Sequence, residues 1–275
     1  MTLEKRTIGG VEIAYRIAGD ASGRPIILIH GLTASMRDWW LNVKPLAEAG
    51  WRVLTPDNPG HGDSSAPGEA GAYAMTAVAD GLHELAVELG FAPAVIVGHS
   101  MGGAVAEEYA IRHGGDVSAL VLVASAGGSQ RPYPPSAERE ALAEIERVTA
   151  LEQGMDAVWA LHQERGMWAS VSGLPPSVQA FFKARFCRCS APGYIHGDRQ
   201  MKARRNTVAE LGGFAKPALV VCGENEEALM QGTSRELAAA LPQGRLVMVP
   251  KVGHSPQFED AAAFNAALLA FLAAV

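Results

Sequence analysis

Short, wholly apolar runs alternate with amphipathic stretches through the first half of the chain, and that alternation sets the expected fold. Pro25-Ile26-Ile27-Leu28-Ile29, Ala94-Val95-Ile96-Val97 and Ala119-Leu120-Val121-Leu122-Val123 carry no polar side chain, the pattern of parallel strands buried on both faces. Arg52-Val53-Leu54-Thr55 reads as another strand of the sheet. Val11 to Ile17 reads as an antiparallel-type strand ending in a Gly19-Asp20 turn. Between these runs, apolar positions recur at helical spacing over Trp39–Ala49, closed by Gly50, over Met75–Leu89 and over Gly102–His113. Strands separated by such helices predict a mostly parallel, doubly wound α/β sheet with helices on both faces.

The pattern changes at Gly127. The segment from Gly127 to Pro135 has the composition of a linker. Amphipathic helical stretches follow over Ser136–Leu151, Met155–Arg165 and Pro176–Cys187, with no strand-like run among them. Alternation resumes with the strand Pro217–Cys222, a helix over Gln231–Leu241, the strand Arg245–Val249 and a last helix over Asp260–Ala274. The expected organisation is therefore a core of residues 1–127 and 212–275, interrupted by a helical cap over 128–211 that forms a lid on the catalytic face.

Composition narrows the class. The chain has 275 residues, 48% hydrophobic and 19% charged, enough to bury a large core. A net charge of −6 argues against a nucleic-acid surface. Three cysteines, an odd number, do not make a disulfide framework. The N-terminal Met1-Thr2-Leu3-Glu4-Lys5-Arg6 lacks the apolar core of a signal peptide, and no apolar stretch of about 18 residues predicts a membrane span. The expected location is the cytoplasm.

Candidate chemistry centres on Gly98-His99-Ser100-Met101-Gly102, a Gly-x-Ser-x-Gly pentapeptide between a buried strand and an amphipathic helix. Such a corner presents the serine hydroxyl above the sheet, and the glycines leave room where strand and helix pass closely. A serine needs a base, and the base needs an orienting acid. His254, in Val252-Gly253-His254-Ser255-Pro256, follows the last strand. The acid is expected after the preceding strand, in Gly223-Glu224-Asn225-Glu226-Glu227. The resulting order of serine, acid and histidine belongs to one hydrolase architecture and not to the chymotrypsin or subtilisin orders.

The chain resembles the α/β-hydrolase superfamily over nearly its whole length. The matching segments are Ile29-His30-Gly31-Leu32-Thr33, Pro56 to Ser64, Gly98 to Gly103 and Gly253 to Pro256. The resemblance implies a helical cap inserted after the sixth strand, Ser100 as nucleophile and His254 as base. It places the acid three residues after Gly223, at Glu226, where aspartate is commoner; Glu227 and Glu224 are the alternatives. It also implies an oxyanion hole made by the backbone N–H groups of Leu32 and Met101. No cofactor or metal is called for. The implied activity is hydrolysis of a small-molecule carboxylic ester through an acyl-enzyme. Carbon–carbon hydrolysis of meta-cleavage products, lactone hydrolysis, perhydrolysis and a non-catalytic binding role are the other readings.

Further residues are weighed against these roles. Trp159, Trp168, Phe181 and Phe182 in the cap either fill its core or line a substrate pocket. His30 and His61 are expected to shape loops, and His99 to pack beneath the serine. Cys187-Arg188-Cys189 with His196 fits no common zinc spacing. Arg199, Lys202, Arg204 and Arg205 form a solvated helix face or meet a substrate carboxylate.

Overall fold

In a computed structural model that describes residues 2–128, 136–167, 172 and 175–275, the apolar runs assemble into one sheet. Its strands among the described residues are β1 (Glu4–Ile8), β2 (Val11–Ala18), β3 (Arg24–Ile29), β4 (Trp51–Pro56), β5 (Ala94–His99), β6 (Val117–Val123), β7 (Ala218–Gly223) and β8 (Gly244–Val249). They lie in the order β1-β2-β4-β3-β5-β6-β7-β8. The pairs β1/β2 and β2/β4 are antiparallel, and every pair from β4 onward is parallel. Strand β1 was not expected from the sequence. Glu4, Lys5, Arg6 and Thr7 are all exposed on this edge strand, so it carries no apolar alternation. A two-residue turn at Gly9-Gly10, with φ of 55° and 84°, defines it instead.

Alternate residues of one strand feed opposite layers. Ile27 and Ile29 face helices α2 (Met75–Glu88) and α3 (Met101–Arg112) through Leu82, Leu85, Val105 and Tyr109. Ile26 and Leu28 face the other way, toward Val43 and Leu46 of the helix α1 (Trp40–Glu48) and toward Phe264 and Leu268 near the C-terminus. The sheet is therefore covered on both faces.

Between β6 and β7 stand α4 (Ala137–Gln153), α5 (Met155–Glu164), α6 (Pro176–Cys187), α7 (Ala191–Lys202) and the short α8 (Val208–Leu211). The sequence pattern suggests a helix face only at Arg199 and Lys202, the end of α7; its first half carries Pro192, Gly193 and Gly197, which lower helix propensity. Ser190 caps it by accepting the Gly193 N–H at 3.0 Å, and Pro192 lies in its first turn, where a missing N–H costs nothing. The glycines let the helix lie on the core. A Cβ on Gly193 would run into the backbone of Gly60, and one on Gly197 would stand 2.7 Å from Leu32 Cδ1. Ser190 also donates its N–H and its hydroxyl to the Gly60 carbonyl, at 2.8 and 2.9 Å.

Two adjacent glutamates of α3 fasten the ends of this insertion. Glu107, fully buried, accepts from Ser125 Oγ at 2.8 Å, the Gly128 N–H at 3.1 Å and Thr207 Oγ1 at 2.6 Å. Glu108 takes Arg205 in a two-bond pair at 2.7 and 2.8 Å. No helix among the described residues is long and apolar enough to cross a membrane.

Candidate active site

Parallel register brings the carboxyl ends of β5, β7 and β8 to one edge of the sheet, and the three candidate residues follow those strands. Ser100 closes β5 with φ 53° and ψ −117°, in a region that side-chain-bearing residues rarely occupy. The turn is possible because Gly98 and Gly102 carry no Cβ: one on Gly98 would run into the Gly102 carbonyl, and one on Gly102 into the Ile29 carbonyl. Helix α3 begins at Met101, directly after the serine.

His254 stands on the loop after β8. Glu259 fixes that loop from both sides, accepting the Gly253 and Ser255 N–H groups at 2.8 Å each. His254 Nδ1 lies 2.6 Å from Glu226 Oε2, and Nε2 lies 2.9 Å from Ser100 Oγ. With the Nδ1 proton donated to the carboxylate, Nε2 is left to accept the serine hydroxyl. Burial pushes the Glu226 carboxyl up. The hydrogen bond and charge of His254 and the N–H of Glu227 outweigh it and hold the group below its ordinary value. Glu226 is therefore an anion at neutral pH. Glu224 and Glu227 are exposed; Glu226 is the one that reaches the histidine.

The other histidines shape the frame. His99 donates Nε2–H to the His254 carbonyl at 2.8 Å. His30 accepts the Asn58 N–H at 2.9 Å and donates to the Gly31 carbonyl at 2.8 Å. His61 donates to the Pro59 carbonyl at 2.9 Å. Burial lowers all three imidazoles: His99 to about 3, His61 to about 4, and His30 well below its usual 6.5.

This burial has a measurable consequence. Each unfolded imidazole takes a proton near pH 6.5 and its folded counterpart does not, so the stability they lend is present above 6.5 and is lost as pH falls toward the folded values. Asp57, pushed up to about 6 by burial, and Asp38 and Glu107, also raised by burial, act in the opposite sense and offset part of this. The histidine contribution is expected to be largest between about pH 6 and 4.5, where the unfolded imidazoles are charged and the buried ones are not. Urea midpoints measured across this range check it, and His99→Gln should remove about one proton from the slope.

Leu32 and Met101 flank the serine. A Cβ on Gly31, the residue before Leu32, would lie 3.1 Å from Ser100 Cβ. The Met101 N–H heads α3, where no carbonyl within the helix can take it and the helix dipole favours negative charge. The Leu32 and Met101 side chains converge beneath Gly197 of α7, its ideal Cβ falling 2.7 and 3.6 Å from them.

Ser100, His254 and Leu32 open onto a cavity of about 850 Å³. Trp40, Met167, Val178, Phe182 and Phe258 give it an apolar wall. Of the aromatic candidates, Phe182 lines the cavity. Phe181 stacks on Phe258, with ring centroids 5.6 Å apart, behind that wall. Trp159 is buried in the insertion's own apolar cluster, against Phe186, because its face of α5 turns inward. Trp168 lies outside the described residues.

None of the basic quartet lines this cavity. Arg205 pairs with Glu108 and Glu210, Arg204 Nε donates to the Gly127 carbonyl at 3.1 Å, and Lys202 pairs with Asp198 at 2.6 Å. Arg199 borders a separate groove between α4 and α7. The cation that does line the cavity from the insertion is Arg185, which the sequence reading passed over. Its signal was its place three residues after Phe182 and one before Phe186, on the face that both phenylalanines bury. The cysteines are free, and no group of metal-binding side chains exists among the described residues.

The comparisons with known proteins agree with this architecture. A profile of the alpha/beta hydrolase fold matches residues 24–261. Lipase 1 of Psychrobacter immobilis is 29% identical over 256 residues, 91% of this chain and 77% of that protein. A putative 2-succinyl-6-hydroxy-2,4-cyclohexadiene-1-carboxylate synthase of Bacillus subtilis is 26% identical over 97% of this chain and 96% of its own. Among solved structures, the enol-lactonase from Burkholderia xenovorans LB400 superposes with a TM-score of 0.83 at 27% identity, covering 98% of this chain and 100% of that one. The chain belongs to the alpha/beta hydrolase fold family.

Proposed function

We propose that the protein hydrolyses carboxylic esters of small molecules through an acyl-enzyme on Ser100, beneath a cap formed by the helices between β6 and β7. The observation that carries this reading is the position of His254, within hydrogen-bond reach of both Ser100 Oγ and Glu226 Oε2. As Ser100 Oγ attacks the ester carbonyl, His254 Nε2 takes its proton, and the Glu226 carboxylate stabilises the imidazolium. The Leu32 and Met101 N–H groups hold the carbonyl oxygen as it becomes an oxyanion; one such donor contributes about 3–4 kcal/mol in the transition state. His254 then returns the proton to the leaving alcohol. Water, deprotonated by the same imidazole, releases the carboxylic acid and restores the serine.

Hydrolysis of 4-nitrophenyl esters from acetate to palmitate tests the reading. Turnover is expected, with an optimum chain length set by the apolar cavity. Failure of folded protein on every ester would contradict it and shift the assignment to carbon–carbon hydrolysis. Lactone hydrolysis is a second reading, favoured by the likeness to the enol-lactonase. A lactone is a cyclic ester and uses the same steps, so the rates on a lactone and on its open-chain ester separate the two.

A further inference from the structure

Of the three residues at the centre of the site, His254 is the one packing holds least. Its side chain is 46% exposed, against 5% for Glu226. It also stands on a loop that turns through Lys251 at φ 64°. A ring so placed takes its position from the backbone on either side of it. We propose that His99 and Glu259 are positioning residues that clamp the two ends of the His254–Ser255 peptide and so keep Nε2 within reach of Ser100 Oγ. The inference rests on the ester-hydrolase reading and adds two residues to the machinery of that reaction.

A peptide unit is planar, so its C=O and N–H point to opposite sides and binding both ends stops it from rotating. In the unit between His254 and Ser255, His99 Nε2–H donates to the carbonyl at 2.8 Å and the N–H donates to Glu259 Oε1 at 2.8 Å. The unit between Val252 and Gly253 is bound in the same way. Its carbonyl accepts the Asn225 N–H at 2.8 Å, and its N–H donates to Glu259 Oε2 at 2.8 Å. One carboxylate thus spans the two units that bracket His254, and its charge strengthens both bonds. Glu259 itself is exposed, which gives it the look of an ordinary surface acid.

His99 ties this loop to the nucleophile. It precedes Ser100 at the end of β5, so its bond to the His254 carbonyl links the base to the strand that carries the serine. The ring is buried and lies against the His254 ring, with centroids 5.0 Å apart. A carbonyl only accepts, so the single proton of a neutral His99 sits on Nε2. Burial, with the charges of His254 and Arg185, holds the ring at about 3, neutral wherever His254 can act as a base. Nδ1 is buried with no hydrogen-bond partner among the described residues. Leucine at this position therefore removes one hydrogen bond, whereas glutamine can bring an amide N–H to the same carbonyl.

The competing explanation is that both residues only support the fold. Kinetics on a 4-nitrophenyl ester separate the ideas when paired with the rate and endpoint of labelling by a fluorophosphonate ester, since the endpoint counts intact sites. His99→Leu is expected to lower kcat by about 100-fold with KM within about twofold of wild type, because misplacing a reacting group by an ångström costs that much. Its labelling should slow in parallel and still reach one adduct per chain. His99→Gln should recover to within about fivefold of wild type. Glu259→Ala should lose about tenfold in kcat, and the double variant H99L/E259A about 200-fold rather than the about 1,000-fold of independent sites, because the two hold one peptide.

His99→Gln as slow as His99→Leu, losses that multiply in the double variant, or a lowered endpoint at an unchanged rate would overturn the clamp and leave the ester reading standing. If His99→Leu does not fold, Glu259→Ala decides, since its side chain is exposed: an unchanged kcat refutes the clamp, and a kcat loss at constant KM and full endpoint supports it. Wild type that turns over no ester but is labelled would sink the ester reading, and the labelling rates of the variants then decide for the clamp. Wild type that is not labelled at all would overturn both.

Discussion

Replacing Ser100 with alanine is expected to abolish ester turnover, by on the order of 10⁶-fold, while the protein stays folded. The magnitude follows from the role proposed for the hydroxyl. Without Oγ no acyl-enzyme forms, and the residual rate comes from whatever the oxyanion donors and substrate binding provide for attack by water. The fold should survive because alanine keeps the Cβ that the turn already accommodates at φ 53°. The Ser100 backbone bonds also persist: its N–H donates to Val123 at 3.0 Å, and its carbonyl accepts from Gly103 at 2.9 Å and Ala126 at 3.1 Å. Turnover and thermal unfolding measured on the same preparation check both halves. Substantial activity in a folded S100A protein would remove the nucleophile from the account.

Glu226→Gln carries the second largest expected effect, a loss on the order of 10⁴-fold in kcat. Glutamine preserves the shape and the contact with His254 but removes the charge that balances the imidazolium. Its amide can also donate to Nδ1, which stabilises the tautomer that carries its proton on Nε2 and cannot accept one from Ser100. Glu227→Gln is the internal control. Its side chain is exposed, its backbone N–H donates to Glu226 Oε1 at 2.9 Å, and the substitution leaves that bond intact, so a change below about threefold is expected. A reversal of the two results would move the acid one residue along the loop.

Much of this architecture can be read before any coordinates, for a physical reason. Strands β3, β5, β6 and β7 are buried on both faces over most of their length, so each holds an apolar run of four or five residues. Ser100, Glu226 and His254 each fall just past a strand end, and parallel strands carry such ends to one edge of the sheet. What escaped the sequence was set by contacts between distant parts of the chain. Strand β1 is polar because it lies at the sheet edge. The first half of helix α7 contains residues that disfavour helices, because Gly193 and Gly197 are needed for its close approach to Gly60 and Leu32. Arg185 looks like one more surface cation until Asp38, 147 residues away, is seen to hold it at the cavity wall. The quartet ending at Arg204 and Arg205 drew attention by charge density alone, and Arg205 is committed to Glu108 and Glu210 at the end of the insertion.

The most direct test of the central claim is the mass of the intact protein after treatment with a fluorophosphonate ester, followed by peptide mapping. An activated serine attacks the phosphorus and keeps it as a stable adduct, whatever the natural substrate. The account predicts one adduct per chain, on the peptide bearing Ser100, absent from Ser100→Ala and strongly slowed in His254→Ala. No adduct on folded wild-type protein, or an adduct on another residue that persists in Ser100→Ala, would contradict it.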